Sequence, residues 1–258
     1  MGWVIHKFGG SSLADVDAFE HASRLLTESG EEHQAVVVSA MQGTTDQLIA
    51  LAHAAAGAAD HANGDWMLRF SRLRDRHLDC ARALKLDDQV GSALQRSFAE
   101  LQHLLEGLAL LGSLPREILD LVAGLGEQWS ARILTGVFQR DGLAAEFLDA
   151  RELIRIEHGE LGPVPLMDES RRLLDRLALE KAERIVMTGF SCRDAAGRVT
   201  TLGRNGSDFS ATILAALLDA KAVHIWTDVE GVLSADPARV AQAQVVEHLS
   251  YREAFELA

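Results

Sequence analysis

Trp3-Val4-Ile5-His6-Lys7-Phe8-Gly9-Gly10-Ser11-Ser12 is the stretch that decides the fold. Its apolar half predicts a short buried strand, and its two glycines predict the end of that strand and a turn into a helix. Glycine lets the backbone come close to a ligand and visits φ > 0 at little cost. The helix expected next would add unpaired N–H groups and the positive end of its dipole. Lys7 would add a point charge suited to phosphate. A lysine at a buried strand end must meet an anion or a carboxylate, because an unpaired buried charge is costly. The stretch therefore reads as a phosphate cradle at the carboxyl end of the first strand, where ligands sit in open α/β sheets. It is not G-x-x-x-x-G-K-[ST], since the lysine precedes the glycines, and it is not G-x-G-x-x-G. A Gly-Gly turn is also ordinary strand-to-helix geometry, so the rest of the chain has to decide.

Strand and helix signals alternate on both sides of a helical middle. Leu13, Val16, Phe19, Ala22, Leu25 and Leu26 fall at helical spacing, with Gly30 as a stop. Ala35-Val36-Val37-Val38 predicts a second buried strand, followed by the small-residue loop Ser39 to Thr45 and a helix from Asp46. Between about residues 60 and 140 the pattern is helical. Leu68, Leu73, Leu78 and Leu84, then Leu94, Phe98, Leu101, Leu105 and Leu108, mark two amphipathic helices. Pro115 opens a further helix, which Gly124 and Gly126 interrupt. Ala144 to Leu148, Arg184 to Thr188 and Val223 to Thr227 are strand candidates. Arg193 to Arg198 reads as a hairpin tip, and Glu230-Gly231 as a turn. Gly203 to Asp208 is a second glycine-rich turn, leading into a helix over Phe209 to Leu218. The fold class expected is α/β, with a largely parallel sheet between helices on both faces.

Composition narrows the class. The 258 residues allow one large domain or two small ones, and 48% apolar content supports a sizeable core. No apolar run approaches the roughly 20 residues that span a bilayer, and no basic-then-apolar leader is visible. Cys80 and Cys192 have no metal-ligand spacing, and a reduced cytoplasmic chain is the simplest reading. A net charge of −13 argues against nonspecific nucleic-acid binding. It leaves room for an anionic small substrate, because a local cluster of Lys and Arg overrides the global field. The histidines, His6 and His224 included, show no metal spacing and read as structural.

Four polar, small-residue loops each follow a strand candidate: Lys7 to Ser12, Ser39 to Thr45, Gly203 to Asp208, and Thr227 to Gly231. In a doubly wound sheet such ends converge on one edge. Lysine, arginine, aspartate, hydroxyls and glycines together suit phosphoryl transfer, which needs positioning and charge neutralisation more than covalent help. Plainer readings stand beside this one. Arg204 and Asp208, four apart, fit an i,i+4 ion pair. Asp208 fits the dipole of its own helix. Ser39 and Thr45 fit turn and capping positions, and Glu127 fits a solvated helical side chain.

The same residues carry a resemblance. Lys7-Phe8-Gly9-Gly10-Ser11-Ser12, Val37-Val38-Ser39-Ala40, Gly126-Glu127, Thr188-Gly189-Phe190, Leu202-Gly203-Arg204-Asn205-Gly206-Ser207-Asp208 and Trp226-Thr227-Asp228-Val229 resemble aspartate kinases in order and spacing. They are most similar to the kinase portion of the bifunctional aspartokinase/homoserine dehydrogenases. The resemblance covers essentially residues 1–258. It implies an amino-acid-kinase fold, a three-layer αβα sandwich with a helical insertion at about 60–140. It also implies transfer of phosphate from ATP, with Mg2+, to the side-chain carboxylate of L-aspartate, the reaction that opens the route to lysine, threonine and methionine. In that family Lys7 would hold the transferring phosphoryl group, and Gly9, Gly10 and Ser11 would supply donors to the nucleotide phosphates. Ser39, Thr45, Glu127 and Arg204 would bind aspartate, Glu127 at the ammonium and Arg204 in a forked carboxylate contact. Asp208 would orient the lysine and shape the nucleotide site, and Thr227, Asp228 and Asp236 would contact the nucleotide. No protein-held metal site is expected, and the long helical section offers surface for a homodimer.

Two departures from the family's pattern qualify it. The chain ends at Phe255-Glu256-Leu257-Ala258, where relatives continue into a Gly-Ala-Lys segment and regulatory ACT domains, here expected to be absent together with a dehydrogenase domain. Leu233 and Ala238 stand where many relatives carry tyrosine and arginine, with Arg239 one residue away. These gaps keep two alternatives in view: a truncated kinase-fold module that binds aspartate with little turnover, and an enzyme of the same fold acting on another acid such as glutamate or N-acetylglutamate.

Overall fold

The computed structural model describes residues 2–57, 66–177, 182–227, 229, 231–236, 239–240 and 242–257. Asp228, Glu230, Ala238 and the expected onset of the helical section near residue 60 lie outside the described residues. The chain divides into two units, Met1–Trp226 and Thr227–Ala258.

In the first unit five strands form a wholly parallel sheet: β1 (Val4–Phe8), β2 (Gln34–Val38), β3 (Ala145–Leu148), and two strands nearer the C-terminus, Arg184–Thr188 and Ala222–Trp226. The last two become β6 and β9 once a second sheet is counted. That sheet holds β4 (Arg155–Gly159), β5 (Gly162–Pro165), β7 (Ser191–Asp194) and β8 (Val199–Thr201). The strand order of the main sheet is β3-β6-β2-β1-β9. Side chains alternate across a strand, and the apolar residues of these strands divide accordingly. Phe8, Val36, Val38 and Val186 enter one core, while Ile5, Ala35, Val37, Ile185 and Met187 enter the other. Both faces are thus covered, as a continuous β-branched run such as Ala35-Val36-Val37-Val38 requires. The result is the layered α/β architecture read from the sequence.

Helix α1 (Val16–Glu28) lies between β1 and β2, and α2 (Thr44–Ala55), α3 (Trp66–Ala83), α4 (Asp88–Leu111), α5 (Arg116–Ala123) and α6 (Leu125–Arg140) follow β2. The core on this side includes Phe19, Leu48, Leu73, Leu94, Phe98, Leu105 and Trp129, all buried. Each such side chain contributes about 1.5–3 kcal/mol by leaving water, which holds α3 and α4 in place. Leu68 departs from the expected stripe and is half exposed in the first turn of α3. Pro115 caps α5 and Gly124 ends it. On the other face α7 (Ala150–Leu153), α8 (Met167–Arg176) and α9 (Gly206–Leu217) pack with Leu153, Ile156, Leu214 and Leu217.

The second sheet runs β5-β4-β7-β8 and was not foreseen. Its hairpin β7–β8 turns where expected: Asp194 Oδ1 accepts from the Ala196 and Arg198 N–H groups, both at 2.9 Å. At the base of this hairpin the Leu202 N–H donates to the Phe190 carbonyl at 2.8 Å, two residues beyond the end of β6. The Gly203–Asp208 turn follows directly.

The second unit holds an isolated antiparallel bridge, Leu233 to Val245, and α10 (Tyr251–Leu257). Its helix starts in a capping box: the Ser250 N–H donates to Glu253 Oε2 at 2.8 Å, and the Glu253 N–H donates to Ser250 Oγ at 3.2 Å.

Candidate active site

β1 has β2 on one side and β9, the last strand of the sheet in the chain, on the other. Such a reversal of strand order opens a crevice at the carboxyl ends of the strands. There, a cleft of about 420 Å³ is lined by Lys7, Gly10, Ser39, Thr45, Glu127, Arg204 and Asp208, with Met41, Gln42, Asp46, Phe190, Asn205 and Ser207 among its further walls. Segments as far apart in the chain as Lys7 and Asp208 meet in it.

Lys7 stands one residue before the end of β1, with a side chain only 12% exposed. Its Nζ is 2.9 Å from Asp208 Oδ1. The lysine charge is therefore met at rest, as its place at a buried strand end demanded. The i,i+4 pair between Arg204 and Asp208 does not form, because the helix begins at Gly206 and Arg204 precedes it in the turn. Asp208 does sit in the first turn of α9, so it also opposes the helix dipole. Arg204 is exposed at the cleft, and its side chain makes no ion pair or hydrogen bond among the described residues.

The turn after β1 differs from expectation in two ways. Gly10 is right-handed, with φ −64°, and Gly9 also lacks a positive φ, so conformational freedom is not why glycine stands here. Closeness is the reason: a Cβ on Gly10 would lie 2.9 Å from the Ala40 carbonyl oxygen. Nor does α1 start at the glycines. A 3₁₀ turn over Ser11–Leu13 intervenes, and α1 begins at Val16, its N-terminus already capped by Asp15, which accepts from the Ala18 N–H at 3.0 Å. At this turn the cleft is lined by Gly10 and not by the N-terminus of α1. Gly9 and Ser11 flank the cleft lining without belonging to it.

Glu127 lies in the first turn of α6 and is 3% exposed, not a solvated side chain. Gly126 makes this possible, since a Cβ there would meet the Ala40 Cβ at 2.6 Å and Thr44 Cγ2 at 2.9 Å. The helix start thus presses against the loop after β2. Burial pushes the Glu127 carboxyl up to about 7, against the opposing effect of its own backbone and the Ala40 backbone. Its Oε2 is buried without a partner among the described residues. Thr45 is the second residue of α2, whose N-cap is Gly43, so it is free of any capping duty. The Ser39 N–H donates to the Phe8 carbonyl at 3.0 Å, which joins the ends of β1 and β2.

Phe190 and Asn205, both in the cleft wall, adopt positive φ (67° and 58°). An aromatic residue there is a conformational outlier, held by the Ser210 hydroxyl, which accepts the Phe190 N–H at 3.0 Å. Neither was singled out from the sequence. The dipeptides Gly189-Phe190 and Asn205-Gly206 were the available signals. Thr227 and Asp236 belong to the second unit, where the Asp236 carbonyl accepts from the Arg239 and Val240 N–H groups at 3.0 and 2.9 Å. Asp228 lies outside the described residues. Among the described residues no three His, Cys, Asp or Glu side chains converge to hold a metal ion, and no helix is long and apolar enough to cross a membrane.

The sequence pattern of the Amino acid kinase family matches residues 2–258. The chain is 38% identical to the bifunctional aspartokinase/homoserine dehydrogenase 2 of Escherichia coli (strain K12), over 100% of this chain and 31% of that one. It is 34% identical to the chloroplastic bifunctional aspartokinase/homoserine dehydrogenase 2 of Arabidopsis thaliana, over 99% of this chain and 28% of that one. The chain thus spans less than a third of the length of these relatives. Among solved structures, aspartokinase III of E. coli in complex with aspartate and ADP superposes with a TM-score of 0.86 at 28% identity, covering 99% of this chain and 56% of that one. The crevice geometry and these similarities agree: the chain belongs to the amino acid kinase family.

Proposed function

We propose that the chain transfers the γ-phosphoryl group of ATP to the β-carboxylate of L-aspartate. The observation that carries this reading is the pairing of opposite needs in one cleft: Lys7 neutralised by Asp208, and Glu127 buried with an open oxygen facing no protein partner. An amino acid supplies what Glu127 lacks, an ammonium group. Arg204, exposed at the same cleft, suits a carboxylate in a forked contact. Ser39 and Thr45 would complete the amino-acid end, and the Gly9-Gly10-Ser11 backbone would receive the phosphates. Thr227, Asp228 and Asp236 remain proposed nucleotide contacts.

The substrate carboxylate is ionised near neutral pH, so attack needs no general base. One carboxylate oxygen bonds to the γ-phosphorus while the bond to the β-phosphate oxygen breaks, leaving aspartyl phosphate and ADP. Lys7 would draw off charge from the phosphoryl group in the transition state, with Asp208 fixing the ammonium, and the rest of the catalysis is alignment. The nucleotide phosphates would carry Mg2+ with them, which would supply further charge neutralisation there. In a reducing cytoplasm this reaction would open the synthesis of lysine, threonine and methionine, and the exposed Leu110 and Leu111 at the end of α4 support a homodimer through the helical section.

Trapping the acyl phosphate with hydroxylamine tests the reading. Aspartyl hydroxamate should form only with both Mg-ATP and aspartate. A hydroxamate from glutamate or N-acetylglutamate instead, or calorimetric aspartate binding with no hydroxamate, would defeat it.

A further inference from the structure

Arg76 lies on α3, outside the sheet and outside every motif read from the sequence. Its Nη1 donates to the Gln42 carbonyl and its Nη2 to the Ala14 carbonyl, both at 2.9 Å. These carbonyls belong to different loops. Ala14 closes the turn that begins at Gly9-Gly10, and Gln42 lines the cleft in the loop after β2. A guanidinium is a rigid planar fork, so two bonds from its two terminal nitrogens fix the spacing of the loops they join. The loops already touch at Gly10, where a side chain would collide with Ala40. The adjacent residue extends the same frame. His77 is buried, its Nδ1–H donates to the Leu73 carbonyl at 2.8 Å, and its ring stands edge-on to Trp129 at 4.8 Å. Trp129 is two residues beyond Glu127 on α6. One turn of α3 therefore touches all three supports of the cleft: the turn after β1, the loop after β2, and the helix bearing Glu127.

We propose that Arg76 is a positioning residue that latches the Gly9–Ala14 turn to the Ser39–Thr45 loop, fixing the separation between the phosphate end and the amino-acid end of the cleft. Its kinetic consequence rests on the phosphotransfer reading; its geometry does not. Alignment is the part of phosphoryl transfer most sensitive to such a latch, because displacement by about 1 Å costs up to about 100-fold in rate. Lysine at this position keeps the charge but presents one ammonium in place of the fork, so Arg76→Lys separates latch from charge.

The test compares wild type with Arg76→Lys and Arg76→Gln by hydrogen exchange, thermal midpoint and kinetics. In both variants the amides of residues 10–14 and 42–45 should exchange roughly tenfold faster or more, while the buried amides of α3 and the midpoint hold. The kcat should fall roughly 10- to 100-fold with smaller changes in KM for aspartate and ATP. Unchanged exchange in both loops overturns the latch, as does a uniform rise across the chain with a lowered midpoint. Full recovery of loop protection and kcat by Arg76→Lys also overturns it, because charge alone would then suffice. If wild type forms no aspartyl phosphate, the proposed function fails, and loop exchange alone still decides the latch.

Discussion

The two ends of the cleft treat their charges in opposite ways. At the β1 end, Lys7 and Asp208 neutralise each other at 2.9 Å, and Asp208 keeps 38% of its side chain in contact with solvent. At the α6 end, Glu127 is 3% exposed, with one oxygen unpartnered. The first arrangement is stable without a ligand. The second stores a cost that a ligand ammonium would relieve. Burying an acid without a cation raises its pKa, whereas pairing a lysine holds it in one place. Under the proposed function, one end would act on the substrate and the other would recognise it.

Lys7→Met attacks the first end and carries the largest expected effect, a fall in kcat of roughly 10²–10³-fold. Aspartate binding by calorimetry should change little; comparable losses of affinity and turnover would merge the two roles. Glu127→Gln attacks the second. The aspartate KM should rise about 10- to 100-fold through loss of a charged hydrogen bond, with kcat less affected, and an unchanged KM would remove Glu127 from the amino-acid end. Arg204→Ala should raise the aspartate KM about tenfold, and steady-state titration at fixed ATP measures it.

The pH dependence sharpens the contrast further. Below about 7 Glu127 takes up a proton and no longer balances an ammonium, so the wild-type aspartate KM should climb as pH falls through 7, and Glu127→Gln should flatten that profile. Stability runs the other way. The folded pKa lies above the ordinary value of 4.5, so the folded state holds the extra proton between about 4.5 and 7, and this group's contribution falls as pH rises through that window. At pH 8 Glu127→Gln should therefore be more stable than wild type by about 1–3 kcal/mol in urea unfolding. A destabilised variant would mean that the backbone contacts of the carboxylate, at Ala40 and at Glu127 itself, outweigh the cost of its burial.

Parts of this molecule were legible because one residue pattern allowed one outcome. Val36, Val37 and Val38 are buried on alternate faces of a parallel strand, and a β-branched run of that length has few other uses. The leucine spacing over α4 predicted buried Leu94, Phe98, Leu101, Leu105 and Leu108. The second sheet was hidden because β4 buries only Ile156 of five residues, leaving no period to detect. Glu127 carried no signal of its own beyond the resemblance, since a helical glutamate is ordinarily solvated. Arg76 carried none at all: a basic residue on an amphipathic helix looks the same whether it faces water or two carbonyls.

The amino-acid order by itself determined the strands of the main sheet and the helical stripes, because local sterics and hydrophobic period act over a few neighbours. It determined too that Lys7 must find a counter-charge. Tertiary structure alone decided which one, choosing Asp208 over solvent or a ligand, and it alone buried Glu127 against the Ala40 loop. Charge pairing and desolvation depend on distances between segments far apart in the chain, and these exist only once the sheet has brought its strand ends together.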